Sequence, residues 1–273
     1  MNVKFILTTI SLVFPSAIYS QNCNVFLMEG DTCKYEACAY LEKQRAVYQF
    51  SNFYQEKYDE AIAICPNYDY AYRNKSTPYV KSGDFLTWKK LMDKAVELNP
   101  KEHLGYRGWC RYQFFNDYEG AIKDLEQLDE LVNYDIGYSQ NGFYHLNIAK
   151  ALCYKKIGQL EKALNIMQDQ INQPNYSEGL FDYLHLGVLQ LELGDLVAAE
   201  KALLSQSAEN ELAENQYYLG QLFLKKNDPI KAKAHFTKAK ELYEAGRSMF
   251  DPYSHQVDKI FRVEIEEALS EMD

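Results

Sequence analysis

Few residues in this chain could carry chemistry, and they are scattered. Five histidines, His103, His145, His185, His235 and His255, include no pair four apart, the spacing that sets two imidazoles on one helix face for a metal. No glycine cluster forms a phosphate-binding loop, and no serine stands in a strand–turn–helix elbow that would expose a nucleophile. Acid pairs such as Glu266-Glu267 fall on polar helix faces, where water solvates them. The six cysteines, Cys23, Cys33, Cys38, Cys65, Cys110 and Cys153, match neither a zinc pattern nor a CxxC redox motif. The expectation is no catalytic residue, no cofactor and no metal.

The cysteines point to a different chemistry. Met1 to Lys4 supply a short positive start, Phe5 to Phe14 an apolar run of ten, and Pro15 to Ser20 lead to Gln21. Ten apolar residues are too few to span a bilayer but suit a signal-peptide core, so residues 1–20 are expected to be an export signal cleaved after Ser20. Cys23 lacks the small-residue context of a lipidation site. The protein is therefore expected in the periplasm, at the cell surface or outside the cell, where disulfides form. At least one is expected among Cys23, Cys33, Cys38 and Cys65, which allow three pairings. Cys110 and Cys153 are expected to be free thiols.

The net charge is −10, and removal of residues 1–20 takes away Lys4 and no acid. Such a chain repels phosphate backbones, which disfavours nucleic-acid binding. No segment after the signal approaches the apolar length of a membrane helix. The composition, 47% hydrophobic with 13 Gly and 7 Pro, is globular, and 23 Tyr suit half-buried seams and contact surfaces.

The elements that position these residues repeat. A turn-like residue, an aromatic or apolar residue and then usually Ala recur at EKYDEAI (56–62), SGDFLTW (82–88), FNDYEGAI (115–122), KIGQLEKAL (156–164), ELGDLVAAE (192–200) and KKNDPIKAKAHF (225–236). The small-residue positions are Ala61, Trp88, Ala121, Ala163, Ala199 and Ala232. Upstream of the later turns lie Ser76, Cys110, Ala151, Gly187 and Gly220, each inside a helical apolar period. The unit is helix, short turn, helix, of about 34 residues.

This unit resembles the tetratricopeptide repeat. The sixth copy carries the family pattern as Leu219, Gly220, Phe223, Ala232, Phe236 and Ala239, and the fifth as Tyr183, Leu186, Gly187, Gly194, Leu196 and Ala199. The third has Tyr106, Trp109, Cys110, Tyr118, Ala121 and Leu125. The resemblance implies an all-α fold, a right-handed α-solenoid of about six helix-turn-helix repeats over residues 38–246. Residues 21–37 form an N-terminal extension, and a capping helix follows in 247–273. Its helix is expected over His255 to Met272, with Val257, Ile260, Phe261, Ile265 and Ala268 on one stripe. Trp88 departs from the small-residue pattern and implies looser packing, and eight extra residues near 133–142 read as a spacer loop.

The resemblance also implies function: a non-catalytic scaffold or adaptor that binds a protein or peptide along the first helices of its repeats. An accessory subunit or enzyme of an envelope complex, with a site assembled only in the fold, is the other class. Family offsets from each small residue place Arg73, Lys81, Arg107, Arg111, Phe114, Phe115 and Lys155 on the binding face, and Asn74 joins Arg73, Arg107 and Arg111 in a partial likeness to the Lys/Asn/Arg clamp with which family members grip a C-terminal carboxylate. Arg107 and Arg111, four apart, share a helix face. Their guanidinium forks are expected to grip a carboxylate-bearing or acidic segment beside Phe114 and Phe115. Oligomeric state is left open.

Overall fold

The computed structural model describes residues 22–44 and 46–272; the expected signal peptide lies outside the described residues. Fourteen α-helices follow one another among them: α1 (Asn24–Met28), α2 (Thr32–Lys43), α3 (Asn52–Ile64), α4 (Asp69–Ser82), α5 (Phe85–Leu98), α6 (Pro100–Cys110), α7 (Tyr118–Leu131), α8 (Leu146–Lys156), α9 (Leu160–Ile171), α10 (Asp182–Leu193), α11 (Leu196–Glu209), α12 (Ala213–Lys225), α13 (Pro229–Glu244) and α14 (Arg262–Ser270). Tyr138 and His145 form an isolated bridge, and no β-sheet is present among the described residues. The fold is an all-α helical-repeat solenoid built from the pairs α2/α3 through α12/α13.

The turns inside the pairs show why the sequence breaks where it does. Gly83, Asn116, Gly158, Gly194 and Asn227 all have left-handed backbone, which only Gly and Asn adopt readily. In four of the five turns the next residue is an aspartate whose carboxylate caps the following helix. Asp84 accepts from the Thr87 amide, Asp117 from Gly120, Asp195 from Ala198 and Asp228 from Lys231. The recurring Gly/Asn-Asp step thus ends one helix and starts the next.

The described residues divide into two compact units, one running up to residue 71 and the other starting at residue 72. In the first, two disulfides staple a small core. Cys23 pairs with Cys38, tying α1 to α2, and Cys33 pairs with Cys65, tying the start of α2 to the end of α3. Phe26 meets Tyr68 edge-to-face at 5.7 Å between centroids, and Ala37, Tyr58, Ala61 and Ala71 complete the buried cluster. The boundary drawn at residue 37 does not hold: α2 runs through it, so residues 21–37 are no separate extension.

In the second unit a large core runs from Val80 to Ala268, and a smaller cluster holds Ala213, Ala239, Leu242, Ile260 and Ile265. The small residues of the first helices are where second helices come close. A Cβ added at Gly220 would lie 2.5 Å from Phe236 Cε1, and one at Gly187 2.7 Å from Leu203 Cγ. Trp88, far from loosely packed, is buried, its ring 4.6 Å from that of Phe115. Residues 132–145 form a packed turn rather than a plain spacer: Ser139 donates its amide to the Tyr144 carbonyl, and the His145 side chain caps α8 through the Asn147 amide. Cys110 and Cys153 are free and fully buried, and burial pushes the Cys110 thiol up to about 12. Thiolate is the reactive form. Iodoacetamide at pH 8 should therefore label neither thiol in the folded protein and both after denaturation, as read by peptide mass mapping.

The largest departure from expectation is at the C-terminus. Helix covers only Arg262–Ser270, not His255 to Met272. The left-handed backbone of Asp258, at φ 63°, is incompatible with helix there. The stripe is therefore split: Ile260, Ile265 and Ala268 are buried, whereas Val257 belongs to an irregular segment, residues 247–261, that leaves the repeat ladder.

Candidate functional site

The expected binding-face residues divide into three groups. Arg107 and Arg111 are engaged within the chain, by their own repeat and the one before it. Arg107 holds Asp124 of α7 bidentately, with Nε donating to Oδ2 at 2.8 Å and Nη2 to Oδ1 at 2.7 Å, and Nη1 donates to Asp93 at 2.9 Å. Arg111 Nε lies 3.3 Å from the same Asp124 and 3.6 Å from Asp117. Asp124 is 1% exposed, and a carboxylate that deeply buried requires paired charge. The expectation that these two forks stand open to a partner's carboxylate is thus corrected: they grip one, but it is the chain's own.

The second group packs elsewhere. Arg73 donates to Asn74 Oδ1 at 2.8 Å, bonds Gln140 of the 132–145 turn, and lays its guanidinium over Tyr106 at 4.4 Å. Phe115 sits between Phe85 and Trp88, at 4.4 and 4.6 Å between centroids. Its position follows from a π-helical turn, Arg111–Phe115, that extends α6 and inserts an extra residue per turn. Counting four and five residues beyond Cys110 at α-helical spacing cannot anticipate that.

The third group faces the irregular segment. Lys81 lies 5.8 Å from the Tyr253 ring centroid, and Phe114 meets the same ring at 6.5 Å. Lys155 donates to Asp258 Oδ1 at 2.6 Å and also pairs with Glu192 at 3.0 Å. Three residues that sequence reasoning missed join them: Gln113, which donates to Ser254 Oγ at 2.6 Å; His185, whose Nδ1 lies 2.8 Å from Asp258 Oδ2; and Glu214, which accepts the Met249 amide on both oxygens at 3.1 Å. Contacts thus come from α4, the π-helical turn, α8, α10 and α12, the first helices of five successive pairs. Burial raises the Asp258 carboxyl, but Lys155 and His185 together outweigh it and hold it below the ordinary range. Burial leaves the Glu214 carboxyl raised.

A second surface feature is a cleft of about 670 Å³ between the 132–145 turn and the loop after α9, lined by Asp129, Tyr134, Tyr138, Asn147, Gln170 and Tyr176. The Tyr138 and Tyr176 rings are parallel at 6.4 Å, and the Tyr138 hydroxyl donates to the Ser177 carbonyl. The single group of potential metal ligands among the described residues, Cys23, Cys38 and Glu42, has both sulfurs in a disulfide. Four histidines have structural neighbours: His145 bonds Asp135, His185 Asp258 and His235 Gln216, while His255 meets the Phe261 ring. No helix among the described residues is long and apolar enough to cross a membrane.

No family model and no curated protein matches the chain. Solved structures do. A type IV pilus biogenesis factor, PilW, aligns at TM-score 0.56 and 13% identity over 82% of this chain and 92% of its own. The pilF protein of Pseudomonas aeruginosa aligns at 0.56 and 14% over 88% and 96%. YrrB, described as a TPR protein with an unusual peptide-binding site, aligns at 0.54 and 17% over 70% and 94%. At such identities the likeness is one of fold, and it agrees with the helix pairs, their capped turns and their small-residue contacts: the chain has the tetratricopeptide-repeat fold.

Proposed function

We propose that the protein is a non-catalytic scaffold that binds a protein or peptide on the first-helix face of residues 72–273, and that it acts after export. The observation that carries this reading is that five successive first helices present Lys81, Gln113, Phe114, Lys155, His185 and Glu214 to a non-helical stretch of polypeptide. That is the mix of aromatic platform, amide and cation with which a repeat surface holds an extended chain. Two disulfides support the exported setting, since such bonds persist in oxidising compartments. Support for a non-catalytic role comes from the buried, unreactive thiols and from histidines already bonded within the fold.

The reading is tested by placing a photo-crosslinking phenylalanine analogue at Phe114, on the proposed face, and at Val197, exposed on a second helix. In cells, a discrete partner polypeptide should be captured from position 114 and not from 197. Capture from 197 alone, or thermal stabilisation by a small metabolite with no polypeptide captured, would overturn it.

A further inference from the structure

Residues 247–261 fold as a finger whose base is fixed and whose tip is not part of the core. At the base, Ala213 donates its amide to the Arg247 carbonyl, Glu214 holds the Met249 amide, and Lys259 bonds the Met249 carbonyl. Asp251 turns the chain by accepting from the amides of Tyr253 and Ser254 at 2.9 and 3.0 Å. From there the finger reaches Lys81, Gln113 and Phe114 with Tyr253 and Ser254 and returns past Lys155 and His185 with Asp258.

Met249, Val257 and Ile260 anchor the finger's two ends in the core, whereas Tyr253, Ser254 and Asp258 meet the wall through ring contacts, a hydrogen bond and an ion pair, as a bound ligand does. The finger is also an imperfect fit. Gln256 is buried, yet neither its amide oxygen nor its amide nitrogen has a partner, and such groups are costly. Asp258 delivers its carboxylate only from left-handed backbone, which Asp adopts more readily than most residues but still at a cost that a glycine would not bear. Both penalties belong to the finger and not to the wall. Across the wall, the Lys155 ammonium and the fully buried His185 imidazole converge on one carboxylate from two helices, with Glu192 on the outer side of Lys155.

We propose that Lys155 and His185 form a carboxylate site for an extended acidic peptide, and that Asp258 occupies it in the unliganded protein as a built-in competitor. The wall also specifies an aromatic side chain at Phe114 and Lys81, five residues before the acid if the partner runs as the finger does. This rests on the first-helix face being the partner surface. A partner peptide that lacks the finger's two faults displaces it, and closure of the finger lowers apparent affinity by the fraction of molecules that are open.

The probe is a fluorescein-labelled synthetic peptide of residues 249–261, titrated by anisotropy against the full-length protein. Asp258→Asn removes the charge while keeping a residue that tolerates left-handed backbone. It should bind the probe at least about tenfold more tightly than the unaltered protein. Changing the probe's own aspartate at the 258 position to asparagine should reverse that gain, as should adding Lys155→Met, with the helical spectrum retained in both. A second opening variant, Tyr253→Gly/Ser254→Gly, loosens the tip without touching the clamp and should give the same gain. Equal binding by the unaltered protein and both opening variants, or binding by none, overturns the proposal. If a partner is still captured at position 114 in that case, the scaffold reading stands and only the acidic-peptide clamp falls.

Discussion

Phe236→Ala should lower the stability of residues 72–273 by about 3–5 kcal/mol, seen in urea as a shifted midpoint with an unchanged slope. The ring is fully buried in the last helix pair, against Gly220 of α12 and 5.5 Å from the Tyr217 ring. Each pair in a repeat array shares its core only with its neighbours, so no distant packing can close over the void. Because a Cβ at Gly220 would occupy space that Phe236 now fills, Gly220→Ala alone should overpack and destabilise by about 1–3 kcal/mol. Placed on top of Phe236→Ala it should instead recover part of the loss, the sign reversal that identifies two residues sharing one space. A cost below about 1 kcal/mol for Phe236→Ala would show that the α12/α13 seam is not as tightly packed as described.

Cys33→Ala/Cys65→Ala should cost residues 22–71 roughly 3.5–4 kcal/mol, the larger loss of the two disulfides. The bond closes 32 residues, against 15 for Cys23–Cys38, and a longer closed loop restricts the unfolded chain more. The unit has little else to draw on: its cluster holds few large side chains, and the five residues of α1 are far too short to be helical alone. Hydrogen exchange followed by mass spectrometry should show α1–α3 losing protection in the variant. Unchanged protection across residues 22–71 would sink the idea.

Much of this architecture was legible in the sequence because it is written in local chemistry. The Gly/Asn-Asp steps mark turns, and the spacing of Ala121, Ala163, Ala199 and Ala232 marks close helix contacts. What was not legible depends on partners distant along the chain. Four-residue spacing puts Arg107 and Arg111 on one face, but nothing local says that Asp124 will stand opposite both. The cysteines near the N-terminus allowed three pairings because only the packed helices bring Cys33 beside Cys65. Val257, Ile260, Phe261, Ile265 and Ala268 keep a helical period, yet the residues before Arg262 leave it where Asp258 turns left-handed and pairs with Lys155. His185 lay outside the family offsets and had no local signature; it gained its place in the candidate site only because Asp258 reaches it.

The finger also sets an order of events during folding. Gln113 and Ser254 are 141 residues apart, and Lys155 and Asp258 are 103 apart, whereas the helix pairs form from neighbours along the chain. Local contacts close quickly, and distant ones wait on the loss of chain entropy that joining them requires. Residues 247–261 also leave the ribosome after every helix they touch except α14, which they precede. The wall is therefore complete, and bare, for an interval before its own chain can cover it. During that interval the first-helix wall faces water without the segment that later covers it.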